Sequence, residues 1–209
     1  MKRFMLIWTV VFLTVCLVGR ACYGINENEK TVVKETEKEK KDKASFNFMG
    51  VGDNLLHDVI YAYDVDDNYD DIYEPIKEYT KKSDLNYINY ETICAGEEFE
   101  LTGYPTFNGP VGFNDSITHA GFNWLSLCSN HTFDRGVEGV QANLEYIKKH
   151  DPGLTVTGAY LSEKAANTPT VVEINGIKVG LASYTYGLNG FTLPEGYEWL
   201  INLIDEDKI

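Results

Sequence analysis

The chain has 209 residues, of which 44% are hydrophobic, so it can build one domain with a core and is too apolar for a disordered protein. Its formal net charge is −14, and residues 45–209 contain 26 acids against 9 bases. So acidic a body repels polyanions, which argues against nucleic acid as a partner.

The first 25 residues have the pattern of a signal peptide or membrane anchor. A basic start at Lys2 precedes Phe4–Gly19, an uncharged apolar stretch that is short for a membrane span. A lipoprotein modified at Cys22 is an alternative, although Arg20 stands where such signals usually have a small residue. We therefore expect an extracytoplasmic protein, either secreted or attached through its N-terminus to the membrane or cell envelope.

Residues 26–44 separate this segment from the folded part. They are almost entirely charged or polar and contain six acids and six lysines. Such a segment cannot bury enough apolar surface to fold alone, so we predict a disordered tether. An isolated helix is the alternative, because Glu and Lys favour helices.

From residue 45 onward, short apolar runs alternate with helical patterns. This alternation predicts an α/β domain over residues 45–209 with a largely parallel sheet. The predicted strands are 46–51, 85–90, 124–128 and 154–157, the predicted helices are 72–82, 115–120 and 137–150, and a hairpin joins 170–174 to 177–184 through Asn175-Gly176.

Polar residues follow three successive predicted strands. Asp53 comes after the first, Glu91 after the second, and Asn130 with His131 after the third. Since ligands bind at the carboxyl ends of parallel strands, we expect these side chains to converge. Carboxylate, amide and imidazole groups suit Mn²⁺, Mg²⁺, Fe²⁺ or Zn²⁺. Taken singly, a Gly-Asp pair after a strand is more often a turn or a helix cap, and an Asn-His pair in a loop is more often a local hydrogen-bonding element.

The cysteines do not have metal-binding spacing. Cys94 and Cys128 are far apart in sequence, and we expect buried free thiols, with a disulfide between them as the alternative.

Several motifs together resemble the CapA family of poly-γ-glutamate capsule biosynthesis proteins. They are GDNLLH at 52–57, NYE at 89–91, YPTFNGP at 104–110, HAGFNWLSLCSNHTFDRG at 119–136 and NTPTVVEINGIKVGLASYTYGLNG at 167–190. The resemblance implies the fold of calcineurin-like metallophosphoesterases, in which two sheets pack face to face between flanking helices. The chain would be the N-terminal portion of that sandwich.

The resemblance also implies roles for individual residues. Asp53 would ligate one metal ion, Glu91 would supply a carboxylate that can bridge two, and Asn130 would give its amide oxygen to the second. His131 would act near the leaving group, with Asp134 orienting it. The alternative for Asp134 is to cap the helix that starts near residue 136. His57 matches loosely and is left out, and His119 and His150 are expected on the surface.

Complete members of that family continue into His-Trp-Gly and Gly-His-x-His elements, whereas this sequence ends at NLIDEDKI. We therefore expect half of the ligand set, weak metal binding and little catalytic activity in this chain. Three functions follow as hypotheses: an exported protein of capsule or poly-γ-glutamate synthesis or export that works with its other components, a metal-dependent phosphoesterase, or a non-enzymatic surface scaffold.

Overall fold

Four parallel strands form the main sheet of the computed structural model, which describes residues 43–62 and 68–206. The strands lie in the order β1-β2-β3-β4, so each pairs with its sequence neighbour. The strands are β1 at Phe48–Asp53, β2 at Leu85–Asn89, β3 at Trp124–Ser126 and β4 at Thr155–Thr157. The predicted α/β class with a parallel sheet is thereby confirmed. The predicted signal segment and nearly all of the tether lie outside the described residues.

Helices follow each of the first three strands. They are α1 at Asp58–Tyr61, α2 at Asp70–Tyr73, α3 at Lys77–Thr80, α4 at Gly112–His119, α5 at Gly136–His150 and, after β4, α6 at Glu163–Ala166, with 3-10 turns at Glu74–Ile76 and Glu97–Phe99. No helix within residues 43–62 and 68–206 has both the length and the apolar character that a membrane crossing needs.

The prediction of one continuous helix over residues 72–82 is wrong. The structure has α2, a 3-10 turn and α3 instead, with Pro75 at the start of the turn. Proline has no backbone N–H and its ring clashes with the carbonyl four residues earlier, so α2 cannot run through it. Ile72, Ile76 and Tyr79, the apolar residues of the predicted helix face, still line one groove. Val51 lines the same groove.

The other predicted elements are confirmed with shifted ends. Strand β1 extends to Asp53 because a bulge after Val51 lets the pairing with β2 continue. Strand β3 ends at Ser126, and α4 begins three residues before the predicted start. Helix α5 agrees closely with its prediction, and Val140, Leu144 and Ile147 on its inner face are buried.

The two faces of the sheet differ in what covers them. One face carries Ile88 and Leu125, which are buried in the same core as the inner face of α5. The other carries Tyr87 and Trp124, which are half-buried and meet edge to face with ring centroids 4.7 Å apart. The hydrophobic core therefore lies against the Ile88 face of the sheet. The candidate site lies at the edge where the strands have their carboxyl ends.

The predicted hairpin forms a separate two-stranded antiparallel sheet of β5 (Thr170–Ile174) and β6 (Ile177–Leu181). Asn175 and Gly176 both have positive φ, as a two-residue primed turn requires. The second strand ends at Leu181, which pairs with Thr170, rather than at 184. The face-to-face sandwich stays a prediction.

Two of the four cysteines lie in the described part of the chain. Cys94 and Cys128 are both buried and form no disulfide, as predicted. Burial raises the pKa of the Cys128 thiol to about 12, so this thiol is protonated at neutral pH.

Candidate metal and phosphoryl site

The loops that follow β1, β2 and β3 are tied together where the strands end. The Asn54 N–H donates to the Asn89 carbonyl at 2.7 Å, and the Tyr90 N–H donates to the Ser126 carbonyl at 2.9 Å. The Ser129 hydroxyl also donates to the Glu91 carbonyl at 3.2 Å. These bonds bring three loops to one edge of the sheet, which is where the sequence places its polar clusters.

Asp53 and Glu91 are brought into contact at this edge. Asp53 is exposed at the end of β1, and its Oδ1 accepts a 2.7 Å hydrogen bond from the Asn89 side-chain amide. Glu91 is half-buried, and its pKa is raised by burial and then by the charge and hydrogen bonding of Asp53, against a lowering by His131. Two carboxylates held together in this way favour a proton or a cation between them.

His131 and Asp134 form a buried pair beside these carboxylates. The His131 Nδ1 lies 2.7 Å from the Asp134 Oδ2, which also accepts the backbone N–H of Phe107 at 2.7 Å. The Asp134 side chain is only 1% exposed. Burial raises the pKa of the Asp134 carboxyl, and the bonds from Phe107 and His131 oppose that rise.

The contacts of Asp134 can be compared with the two roles considered for it. Helix α5 begins at Gly136, and its N-cap residue Arg135 makes no side-chain capping bond. The Asp134 carboxylate accepts instead from His131, which is the contact that the orienting role requires. Because Nδ1 donates to a carboxylate, Nε2 is the ring nitrogen left to exchange a proton.

Phe107 separates two histidines. Its ring is nearly perpendicular to the His131 ring at a centroid distance of 4.7 Å, and likewise to the His57 ring at 5.1 Å. His57 therefore lies one aromatic ring away from the site. His119 and His150 are exposed, as expected: His119 pairs with an acid of α2 and His150 stacks on a tyrosine of α5.

Asn130 reaches the rest of the site through a residue that the sequence reasoning missed. The Asn130 Nδ2 donates to the Asn189 Oδ1 at 3.1 Å. The Asn189 Nδ2 in turn lies 3.2 Å from His131 Nδ1 and 3.4 Å from its Nε2. The only local signal for Asn189 is an Asn-Gly pair, which also occurs in ordinary turns.

The described residues near this edge offer few donors for a metal ion. No three His, Cys, Asp or Glu side chains of residues 43–62 and 68–206 are arranged to hold a metal ion. The oxygens at this edge are the two carboxylates of Asp53 and Glu91 and the amide oxygen of Asn130. Oxygen ligands of this kind suit Mg²⁺ or Mn²⁺ with several waters retained.

Comparison with known proteins agrees with the motifs at this edge. A search of curated proteins gave no match. Residues 47–203 match the family described as bacterial capsule synthesis protein PGA_cap, and this span contains every residue of the candidate site. The chain is therefore a member of the bacterial capsule synthesis protein family.

Proposed function

We propose that this chain works outside the cytoplasm in the synthesis or export of a poly-γ-glutamate capsule, and that its strand-end site binds a divalent cation. One observation carries the site: the Asp53–Glu91 carboxylate contact lies beside the buried His131–Asp134 pair. Family membership supports the role in capsule synthesis. The basic, apolar N-terminus supports export.

The residues of the site divide into two tasks. Asp53, Glu91 and the amide oxygen of Asn130 would hold the cation. When bound, a divalent ion can activate water and offset charge on a phosphoryl group. His131 would accept and release a proton at Nε2, because Asp134 accepts a hydrogen bond from Nδ1–H and stabilises the charged imidazolium. Phe107 limits the motion of the imidazole, because the two rings pack nearly perpendicular to each other.

A phosphoesterase of unknown substrate is the second candidate. It is favoured by the His131–Asp134 pair, because a buried carboxylate bonded to an imidazole is a typical arrangement for acid–base catalysis. A scaffold that keeps the fold without catalysis would need no such pair. The capsule role, and the need for the site in it, can be tested genetically.

The experiment is deletion and complementation in the bacterium that encodes the chain, with extracellular poly-γ-glutamate as the readout. We expect the parent gene to restore capsule and Asp53→Asn or His131→Asn to fail. The matched control is Asp71→Asn, which removes the charge of an exposed acid on α2. Restoration by both site variants would support a scaffold, and an unchanged capsule after deletion would contradict the capsule role.

Export has its own test. Cells that express the full chain are fractionated, and the N-terminus of the recovered protein is sequenced. We expect the protein in the membrane or extracytoplasmic fraction. Recovery mainly from the cytosol with an intact N-terminus would contradict export.

A further inference from the structure

Asn189 lies in the loop after β6, a segment that the proposed mechanism does not use. Its neighbour Leu188 is 3% exposed and belongs to the hydrophobic core. The Thr185 N–H donates to the Asn202 carbonyl at 3.0 Å, and the Phe191 N–H donates to the Leu188 carbonyl at 2.9 Å. These contacts hold both sides of Asn189, so its backbone is fixed relative to the core.

The backbone of Asn189 has a φ of 51°, in the left-handed region. Residues with a Cβ are disfavoured there, and asparagine is one of the few that adopt it regularly. Glycine would adopt this conformation without that cost. An asparagine in this conformation directs attention to the contacts of its side chain.

The Asn189 side chain connects two candidate site residues. Its Oδ1 accepts from the Asn130 Nδ2 at 3.1 Å, and its Nδ2 lies within 3.4 Å of both nitrogens of the His131 ring. The Nδ1 of that ring already donates to Asp134, so the Asn189 amide rests against the imidazole rather than replacing its main partner. One amide therefore contacts both residues of the Asn-His pair.

We propose that Asn189 is a positioning residue that orients the Asn130 amide so that its oxygen is available to a divalent cation. An amide has an oxygen end that attracts a cation and an NH₂ end that repels it. Because the Asn130 Nδ2 donates to Asn189, Oδ1 is the atom left for the cation. Without Asn189, the Asn130 side chain could rotate and present either end. This inference rests on the cation site of the proposed function.

The test is the variant Asn189→Gly in the full 209-residue chain. Glycine accepts the positive φ, so the amide is removed without new backbone strain. The matched control is Asn175→Gly, since Asn175 has a φ of 50° in the exposed hairpin turn and donates to the Ser45 carbonyl. Both variants remove an asparagine amide from a left-handed position, and only one removes a contact to Asn130.

Two readouts are measured on each protein. The first is the side-chain amide NMR signal of Asn130 without metal, which we expect to be shifted and slowly exchanging in the parent and control and averaged in Asn189→Gly. The second is the Mg²⁺ dissociation constant by calorimetry, which we expect to rise about five- to tenfold in Asn189→Gly only. A tenfold change corresponds to about 1.4 kcal/mol, comparable to one hydrogen bond.

The outcomes separate this inference from the proposed function. An unchanged Asn130 signal in Asn189→Gly, or Mg²⁺ binding as tight as in the parent, would overturn the role of Asn189. A parent chain that shows no saturable Mg²⁺ binding would overturn the cation site itself and the cation role of Asn189 with it. In that case the NMR signal alone would report whether Asn189 contacts Asn130.

Discussion

The His131–Asp134 pair and the Asp53–Glu91 pair lie side by side but differ in how the fold supports them. Asp134 is almost fully buried and accepts from both a backbone N–H and an imidazole. Asp53 is exposed, and the group pressed against it is another acid whose pKa is raised by burial and by Asp53. The fold therefore organises the imidazole half by itself, and the carboxylate half lacks comparable support.

The support for the imidazole half extends into the preceding loop. The Arg135 guanidinium donates to the carbonyls of Phe99 at 3.0 Å, of Asp134 at 2.9 Å and of Thr106 at 3.3 Å. It also donates to the Thr102 hydroxyl. This holds the loop that carries Phe107 against His131. The carboxylate half has no comparable cation among the described bonds, since the Asp53 carboxylate accepts from a neutral amide.

Removing Asp134 should have the largest effect on stability. In Asp134→Ala, the Phe107 N–H and the His131 Nδ1–H lose their buried acceptor, so we expect the free energy of unfolding to fall by about 3 kcal/mol. Urea unfolding at pH 7 measures it. The matched variant Asp53→Ala removes an exposed acid of the same type, and we expect a change within about 0.5 kcal/mol. Equal losses in the two variants would show that the halves are supported alike.

A smaller loss in the free energy of unfolding is expected when Arg135 is replaced. Lysine in Arg135→Lys keeps the charge but lacks the planar fork that reaches several carbonyls at once, so we expect a loss of about 1–2 kcal/mol. Hydrogen exchange of the 99–107 backbone should also become faster. Lys148→Ala on the exposed face of α5 is the control. Unchanged exchange in Arg135→Lys would mean that the loop holds its position without the guanidinium.

Replacing Glu91 should have the smallest effect on the free energy of unfolding, and it should stabilise the protein rather than destabilise it. Its pKa is higher in the folded chain than in the unfolded chain, so ionised Glu91 destabilises the metal-free fold. Glu91→Gln should therefore stabilise the metal-free protein at pH 7, by less than about 1 kcal/mol because solvent screens a half-exposed pair.

The pH dependence checks that sign. The gain from Glu91→Gln should disappear as the pH falls below the ordinary pKa of a glutamate, where Glu91 is protonated in both states. Thermal unfolding in the presence of a chelator at pH 4 and pH 7 measures it. A variant that is less stable than the parent at pH 7 would contradict a carboxylate pair in repulsion.

Sequence reasoning predicted the parts of the site that depend on local pattern. Asp53, Glu91 and Asn130 each follow an apolar run, and the runs before them are parallel strands of one sheet, as the strand pattern predicted. That these three side chains share one cation stays a prediction. The hairpin turn and α5 were predicted for the same reason, since turn residues and helical spacing act over short distances.

The remaining features depend on contacts between distant segments. Asn189 meets Asn130 across 59 residues of sequence, and Phe107 meets Asp134 across 27. No local pattern encodes such distances, because the loop paths decide them. Pro75 is a local signal for the break in the predicted helix. The prediction followed the helical spacing of the neighbouring apolar residues instead.

The most direct test of the account is Mn²⁺ binding to the full chain, measured by titration at pH 7. We expect weak, saturable binding that Asp53→Asn weakens at least about tenfold, because the amide removes one of the two charges that attract the ion. The Asp71→Asn control should bind as the parent does. Mn²⁺ binding by Asp53→Asn that equals the parent would contradict a cation site at the Asp53–Glu91 pair.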